Sequence, residues 1–282
     1  MPGRLHVVAT PIGNLEDITL RALRVLREAD LIAAEDTRRT ARLLQHYSIV
    51  TPTTSLHEHN ERRKLGMLLS RLAGGARIAL VSDAGTPTVS DPGSHLIAAA
   101  LEQEIPVEPV PGPSAVIAAL GVSGFAADSF VFLGFPPSRS QDRKQWAERL
   151  SLEARSSVFF EAPHRIGATL TELALFLGER QILVARELTK LHEELVKGPI
   201  TTVVESLSKA RGEYTVVVQG RPSDRPASRC APTDDHLWHE FGYMTETSGL
   251  TRRQAISALS KSHGISAREV YSALERAKSH LV

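Results

Sequence analysis

The sequence predicts an α/β protein with two sheets, the first parallel and the second mixed, followed by a small helical segment. Three observations predict it. Short apolar or β-branched runs alternate with longer stretches whose apolar residues recur at helical spacing. The resulting strand–loop–helix rhythm belongs to parallel α/β folds. A stretch without apolar runs, Gly220–Thr233, then reads as a linker ahead of purely helical periodicity. The expected domains are 1–115, 116–220 and 221–282, the last being the linker and its helices.

Leu5–Ala9 reads as the first strand, closed by Thr10-Pro11-Ile12-Gly13-Asn14. From Thr19 a helix sets Leu20, Leu23 and Leu26 on one face and arginines on the other. Leu31–Ala34 is a second strand, ending in Glu35-Asp36-Thr37-Arg38, and Arg62–Leu72 is helical up to Gly74-Gly75. Ile78–Val81 is a continuous apolar run, as expected of a strand buried on both faces of a parallel sheet. It enters a loop rich in turn formers, Ser82-Asp83-Ala84-Gly85-Thr86-Pro87, and a helix runs from about Gly93 to Glu102. Val107–Val110 is the next strand, broken by Pro111-Gly112-Pro113 before a helix near Ser114. In the second half Phe130–Leu133, Val158–Phe160, Ile182–Ala185, Thr201–Val204 and Tyr214–Val218 read as strands, with helices near 141–150 and 164–177. The close spacing of the last three strands predicts some antiparallel pairing. Beyond the linker, Asp234–Thr245 carries Leu237, Trp238, Phe241 and Met244 on one helical face. Thr251 and Ser266 cap two further helices, with Ile256, Leu259, Val270, Leu274 and Leu281 inward and Gly264 in the turn.

Composition removes several function classes. In 282 residues, 33 Lys+Arg stand against 32 Asp+Glu, a net charge of +1, which argues against a polybasic nucleic-acid coat or an acidic tail. The single cysteine, Cys230, excludes an internal disulfide framework and a cysteine-based zinc cage. Apolar runs stop short of the roughly 18–20 residues a membrane span needs. The start, Met-Pro-Gly-Arg-Leu-His, lacks the apolar core of a signal peptide. A reduced, soluble, cytoplasmic chain without a membrane partner is expected.

In open α/β sheets ligands bind beyond the carboxyl ends of the strands, so the loops there carry the chemistry. Neither G-x-G-x-x-G nor G-x-x-x-x-G-K-[ST] occurs, which argues against a standard dinucleotide site and a P-loop. The loop Ser82–Pro92 packs Asp83 and Asp91 among Gly85, Pro87 and Pro92. It is either an ordinary turn with Asp91 capping the next helix, or a place where backbone approaches a ligand and a carboxylate holds ribose hydroxyls or an ammonium. Gly112-Pro113-Ser114 lacks the second glycine of a nucleophile elbow, and serine-hydrolase chemistry is not expected. His57 and His59 would share a face of an extended segment, but a metal needs a third ligand. The alternative is a polar loop with Asn60 as helix cap, and no metal is expected. His192-Glu193-Glu194 reads as a solvated helix face. Glu35 and Asp36 at a strand end serve as base or anchor, or Asp36 caps the helix starting at Thr37.

Taken in order, several segments form one series. They are Ala9–Thr19, Ala34-Glu35-Asp36-Thr37-Arg38, His57-Glu58-His59-Asn60-Glu61, Val81–Pro87, Asp91-Pro92-Gly93, Pro111-Gly112-Pro113-Ser114-Ala115, Ala185–Lys190 and Gly212-Glu213-Tyr214. The series resembles the ribosomal RNA small subunit methyltransferase I family, within the tetrapyrrole-methylase superfamily. The likeness runs over about residues 4–220, and the helical C-terminal segment also resembles the family's. It implies a tetrapyrrole-methylase-like two-domain fold with a Rossmann-like N-terminal sheet, S-adenosylmethionine in the interdomain cleft, and a homodimer. It implies methyl transfer to the ribose 2′-hydroxyl of a cytidine in the decoding region of 16S rRNA, within the 30S subunit. Carried over by position, the cofactor contacts are Pro11, Asp83, Ala84, Gly85, Thr88, Ser114, Ala115, Glu161 and Leu188. Phe160-Glu161-Ala162 departs from the family's usual Tyr and Ser around the glutamate, so no side-chain hydroxyl is expected there. Arg39 stands where relatives vary and is given no catalytic role.

Transfer from a sulfonium is an in-line displacement in which alignment supplies most of the help. A ribose hydroxyl is poorly acidic, so a base assists, and Glu35, Asp36, His57, Glu187 and Lys190 are the candidates. Lys190 serves as a base only if desolvation lowers its pKa; otherwise it steadies an alkoxide or a phosphate. Arg38, Arg62, Arg63 and Arg165 are candidate phosphate contacts, with Arg38 inside a matched motif. Thr251–Lys278 resembles a helix-turn-helix that either grips rRNA backbone or packs on the body. Aromatic residues at 5% favour recognition of a folded surface by shape over a base-stacking platform. Two other readings share these features: a methylase of a small tetrapyrrole precursor, and a nucleic-acid-binding regulator using the C-terminal helices.

Overall fold

The structure, a computed structural model, describes residues 3–207, 211–221, 234–247, 250–263 and 265–280. Cys230, Gly264, Leu281 and nearly all of the expected linker lie outside the described residues. The chain divides into two compact units, Met1–Arg221 and Pro222–Val282.

The first unit opens with a fully parallel sheet of β1 (Arg4–Val8), β2 (Leu31–Ala34), β3 (Thr53–Ser55), β4 (Arg77–Val81) and β5 (Val107–Val110), in the order β3-β2-β4-β1-β5. Side chains alternate across the strands, and both faces are covered. On one face Val8, Ile32, Ala34, Ala79 and Val81 meet Leu23 and Leu26 of α1 (Leu20–Glu28) and Leu43 and Leu44 of α2 (Thr37–His46). On the other, Leu5, Leu31, Ala33, Ile78 and Leu80 meet Leu68 and Leu72 of α3 (Glu61–Ala73) and Leu96 of α4 (Ser94–Glu102). Each fully buried leucine or isoleucine contributes about 1.5–3 kcal/mol relative to exposure. The expected caps of the first two helices form: Thr19 accepts the Ala22 N–H at 3.1 Å, and Asp36 accepts the Arg38 N–H at 2.8 Å.

The second sheet is mixed: β6 (Phe130–Phe132), β7 (Ser156–Glu161), β8 (Gln181–Arg186), β9 (Glu194–Pro199) and β10 (Tyr214–Val218), ordered β6-β7-β10-β8-β9. Only β6 and β7 run parallel; the other three pairings are antiparallel. Helices α6 (Ser140–Leu152), α7 (Ile166–Leu177) and α8 (Ile200–Ser206) cover one face. The other face takes α5 (Ala115–Ser123), whose Val116, Ala119 and Leu120 pack on Val158, Leu183 and Val217. The helix that follows β5 in sequence therefore packs on the second sheet. The expected division between residues 115 and 116 falls at its start.

Several expectations are corrected. Thr201–Val204 is not a strand but lies inside α8, where Ile200 and Val203 are buried one turn apart. The strand at this edge is β9, six residues earlier, and β3 is a further short edge strand. His192 and Glu193 are in a turn leading into β9, not on a helix, and the Glu193 carboxylate accepts the Thr189 N–H at 2.6 Å. Asp91 does not cap α4, whose first residue follows Gly93. The buried Glu61 carboxylate reaches across from α3 to accept the Leu96 N–H at 3.1 Å, satisfying a donor that helix starts leave open. Asn60 stands at the cap position of α3, as expected, and its carbonyl accepts the Lys64 N–H at 3.1 Å, but its side chain makes no capping bond and instead accepts the His57 N–H at 3.0 Å.

The second unit has its own core of Leu237, Leu259, Val270, Ala273 and Leu274. It comprises α9 (Asp234–Gly242), a π-helical turn at Tyr243–Thr247, α10 (Arg252–His263) and α11 (Ala267–His280). Thr251 and Gln254 bond reciprocally at the start of α10, and Ser266 and Glu269 do so at the start of α11, two capping boxes. Among the described residues, no helix is long and apolar enough to cross a membrane.

Candidate active site

Because the first sheet is parallel, the loops after β1, β2, β4 and β5 all emerge at one edge. They are bonded to one another. Thr10 and Gly85 exchange both backbone hydrogen bonds, at 2.9 and 3.0 Å. Gly85 has φ +76°, a conformation in which a Cβ would be strained, so glycine suits this crossing. A second clasp joins the ends of β2 and β4. The Asp83 N–H donates to the Glu35 carboxylate at 3.2 Å, and the Asp36 N–H donates to the Asp83 carboxylate at 2.9 Å. Arg39, on the first turn of α2, lies 3.4 Å from the other Asp83 oxygen.

These loops face the second sheet across a cavity of about 340 Å³, within the roughly 300–1,000 Å³ of small-molecule sites. Seven of the nine predicted cofactor contacts line it: Asp83, Ala84, Gly85, Ser114, Ala115, Glu161 and Leu188. Pro11 lines an adjoining recess, and Thr88 is exposed and lines neither. Ile12, Val89, Val116, Phe135, Phe160 and Leu188 supply an apolar wall; Glu35, Asp83, Asp91, Glu161 and Glu213 supply carboxylates. The Glu161 side chain is wholly buried, accepting the Thr169 hydroxyl at 2.6 Å and the Ala162 N–H at 2.8 Å. Its carboxylate ties β7 to α7.

Four of the five candidate bases separate in their electrostatics. Burial raises the pKa of Glu35, opposed by the Asp83 N–H and reinforced by the neighbouring Asp83 charge. Hydrogen bonds from the Arg38 side chain and backbone hold Asp36 down at about 2. Burial works to raise Glu187, but Lys190 and the Glu213 N–H outweigh it and the net shift is downward. Burial likewise works to lower Lys190, and its bonds to Glu187 (2.8 Å) and Glu213 (2.9 Å) win, so its pKa is raised. The condition for Lys190 as a base, a lowered pKa, is not met. Asp91 belongs with Glu35: burial, then the Glu35 charge, push it to about 6.

Two recesses adjoin the cavity. One, of about 400 Å³, is lined by Pro11, Arg39, Arg42, Asp83, Lys190 and Glu213 among others. The other, of about 780 Å³, shares Glu35, Ser90 and Asp91 with the cavity and adds His57, His59, His95 and Arg62. His57 thus faces this recess rather than the cavity. Among the described residues, no group of three or more His, Cys, Asp or Glu side chains could hold a metal ion. Of the predicted phosphate contacts, Arg62 lines the histidine recess and Arg63 is exposed on α3. Arg38 is exposed but donates through Nε and Nη2 to the two Asp36 carboxylate oxygens. Arg165 donates to the Pro136 and Pro137 carbonyls at 2.8 and 3.2 Å and lies 3.4 Å from Glu161, so its guanidinium braces the fold.

Sequence reasoning assigned Arg39 no catalytic role and left Asp91 between a helix cap and a ligand contact; both line the cavity. The spacing of Arg39 four residues beyond Glu35, across a strand-to-helix junction, is the signal that could have marked it. Asp91 was visible in its Asp-Pro-Gly motif, but its burial beside Glu35 is a tertiary fact.

Residues 4–204 match the tetrapyrrole (corrin/porphyrin) methylases. The ribosomal RNA small subunit methyltransferase I of Synechocystis is 46% identical over 273 residues, covering 95% of this chain and 96% of its own. That of Halalkalibacterium halodurans is 40% identical over 276 residues, covering 95% and 93%. The fold is shared with uroporphyrin-III C-methyl transferase from Thermus thermophilus, whose crystal structure complexed with S-adenyl homocysteine superposes with a TM-score of 0.56. That pair is 21% identical, over 77% of this chain and 97% of the other. On this evidence the chain belongs to the tetrapyrrole (corrin/porphyrin) methylase family and, within it, to the ribosomal RNA small subunit methyltransferase I family.

Proposed function

We propose that this protein transfers the methyl group of S-adenosylmethionine to the 2′-hydroxyl of a cytidine ribose in the decoding region of 16S rRNA, within the 30S subunit. One observation carries the reading: a cavity joining carboxylates to an apolar wall, in a chain 46% identical over 95% of its length to a small-subunit rRNA methyltransferase. The residues present fit the cofactor. Asp83 and Asp91 suit a ligand bearing a sulfonium and an ammonium, and Phe135, Phe160 and Leu188 offer the apolar surface a purine needs. The same reading has the protein act in the cytoplasm, as a homodimer.

S-adenosylmethionine supplies a methyl group on a positively charged sulfur. The loops after β1, β4 and β5 hold the ligand against the second sheet, and that alignment provides most of the acceleration. Glu35 is the proton acceptor: it lines the cavity, burial raises its pKa, and the Asp83 N–H fixes its orientation. When the sulfur–methyl bond breaks, leaving the electron pair on the sulfur of S-adenosylhomocysteine, and the hydroxyl oxygen takes the methyl group, that oxygen's proton would pass to this carboxylate. A base so placed contributes roughly 10²–10⁴ in rate. Lys190, kept cationic, contributes charge and not proton abstraction.

The test is transfer of labelled methyl to purified, undermethylated 30S subunits, with nuclease mapping and Asp83→Ala alongside. Label on a cytidine ribose is expected. Loss of the Asp83 carboxylate removes a charged anchor and the clasp to Asp36, and cofactor affinity should fall about a hundredfold. Label on a tetrapyrrole precursor, or no cofactor binding by the wild type, overturns the reading.

A further inference from the structure

The smaller recess opens off the cavity past Arg39, Asp83 and Glu213, which line both. Three cations face it. Arg39 is drawn loosely to Asp83 at 3.4 Å, and Lys190 is fixed between Glu187 and Glu213. Arg42 is exposed and makes no hydrogen bond or ion pair among the described residues. Arg39 and Arg42 are three residues apart on α2, so their side chains stand on one face, one turn apart. Arg38, the other arginine of this helix's first turn, is folded back onto Asp36.

We propose that this recess seats one phosphodiester of the acceptor RNA strand, beside the ribose being methylated, with Arg42 as the principal contact and Arg39 as the second. The proposal rests on the methyltransferase reading and adds to it the place of the substrate's backbone. Three features carry it. The recess is continuous with the cavity, so a phosphate there belongs to the nucleotide whose sugar faces Glu35. Its charge is limited: three cations are set against Asp83 and Glu213, which suits a single phosphate and not a long polyanion. Arginine's planar fork matches two phosphate oxygens, and Arg42 has no partner to give up among the described residues. Lys190, already saturated by two carboxylates, sets the opposite wall.

A free inorganic phosphate has the same chemistry as a phosphodiester, so the experiment separates them. Equilibrium binding of undermethylated 30S subunits, with S-adenosylhomocysteine present, is measured for wild type, Arg42→Ala and Arg42→Lys across a series of salt concentrations. Arg42→Ala should weaken binding about tenfold at low salt. It should also flatten the slope of log K against log salt by about 0.7 to 0.9, the change expected for one lost phosphate contact. Arg42→Lys should restore the slope. S-adenosylhomocysteine affinity should be equal in all three, which a distorted fold would not give. Inorganic phosphate should compete no better than chloride at equal ionic strength.

Equal affinity and slope for wild type and Arg42→Ala overturn the proposal, as does a difference that inorganic phosphate abolishes, which marks a free-anion site. Methyl transfer by the wild type is followed in parallel. If transfer occurs and the slopes are equal, the recess assignment alone falls. If transfer fails while the slopes differ, the enzymatic reading falls and the phosphate site stands. Absence of binding by the wild type overturns both.

Discussion

The acidic side chains around the cavity form two groups that behave in opposite ways. Glu35 and Asp91 lie in the floor, near each other and away from any tightly bound cation, and both have raised pKa values. Asp36 and Glu187 do not line the cavity but are next in sequence to Glu35 and Leu188, which do; they form its rim, each within hydrogen-bond reach of a cation, and both are lowered. Glu35 and Asp36 are adjacent in sequence. What separates them is that β2 ends at Ala34, so Glu35 turns inward while Asp36 becomes the first cap of α2 beside Arg38. The proton affinity of a carboxylate here is decided by its neighbours in space, and one residue of chain is enough to reverse it.

The sharpest way to break this comparison is to neutralise one member of each group. Glu35→Gln should lower single-turnover methyl transfer by roughly 10²–10⁴ while leaving S-adenosylhomocysteine affinity within a few-fold. Glu187→Gln should change transfer only a few-fold. Equal losses from the two would erase the distinction between floor and rim.

A smaller effect is expected in stability. Asp91 is raised to about 6 from an ordinary 3.8, so the folded chain holds its proton more tightly than the unfolded one. That contribution is complete below about pH 3.8 and is lost as the pH rises through about 6, above which the charged form burdens the fold. Asp91→Asn should therefore be more stable than wild type by about 1–2 kcal/mol at pH 8 and show no such advantage at pH 3.5, by denaturant melts. The smallest effect belongs to the rim. Lys190→Met removes two partly exposed ion pairs and should cost less than about 1 kcal/mol in a melt.

The first sheet was legible because its strands are short continuous apolar runs ending in distinctive loops, and the residues of those loops converge. The edges were not. Thr53–Ser55 is three polar residues without an alternation to detect, and Glu194–Pro199 is a half-exposed edge strand carrying charge and Gly-Pro. Ile-Thr-Thr-Val-Val at 200–204 has the composition of a strand. Its helical state follows from packing Ile200 and Val203 together under β8, which overrides a β preference measured only in local terms. At the site, the residues were legible from motif order, but their division into raised and lowered carboxylates was not. It depends on which side chains meet across different loops: Asp83 with Glu35, Asp91 with Glu35, and Lys190 with Glu213.

The turn after β8 and the loop after β1 touch directly. The Asn14 N–H donates to the Thr189 hydroxyl at 3.1 Å across 175 residues of chain, and a Cβ on Gly13 would stand 2.9 Å from the Leu188 carbonyl oxygen. During synthesis the first half of the pocket is therefore complete long before its counterpart exists. A nascent chain has the parallel sheet and its loops but no closed pocket until the second sheet has been made. A ligand that needs both sides can reward only the finished fold, stabilising it by mass action while giving an interrupted chain no such protection. A fragment ending before Glu187 should then be digested by protease at the same rate with or without cofactor, whereas the whole chain is shielded.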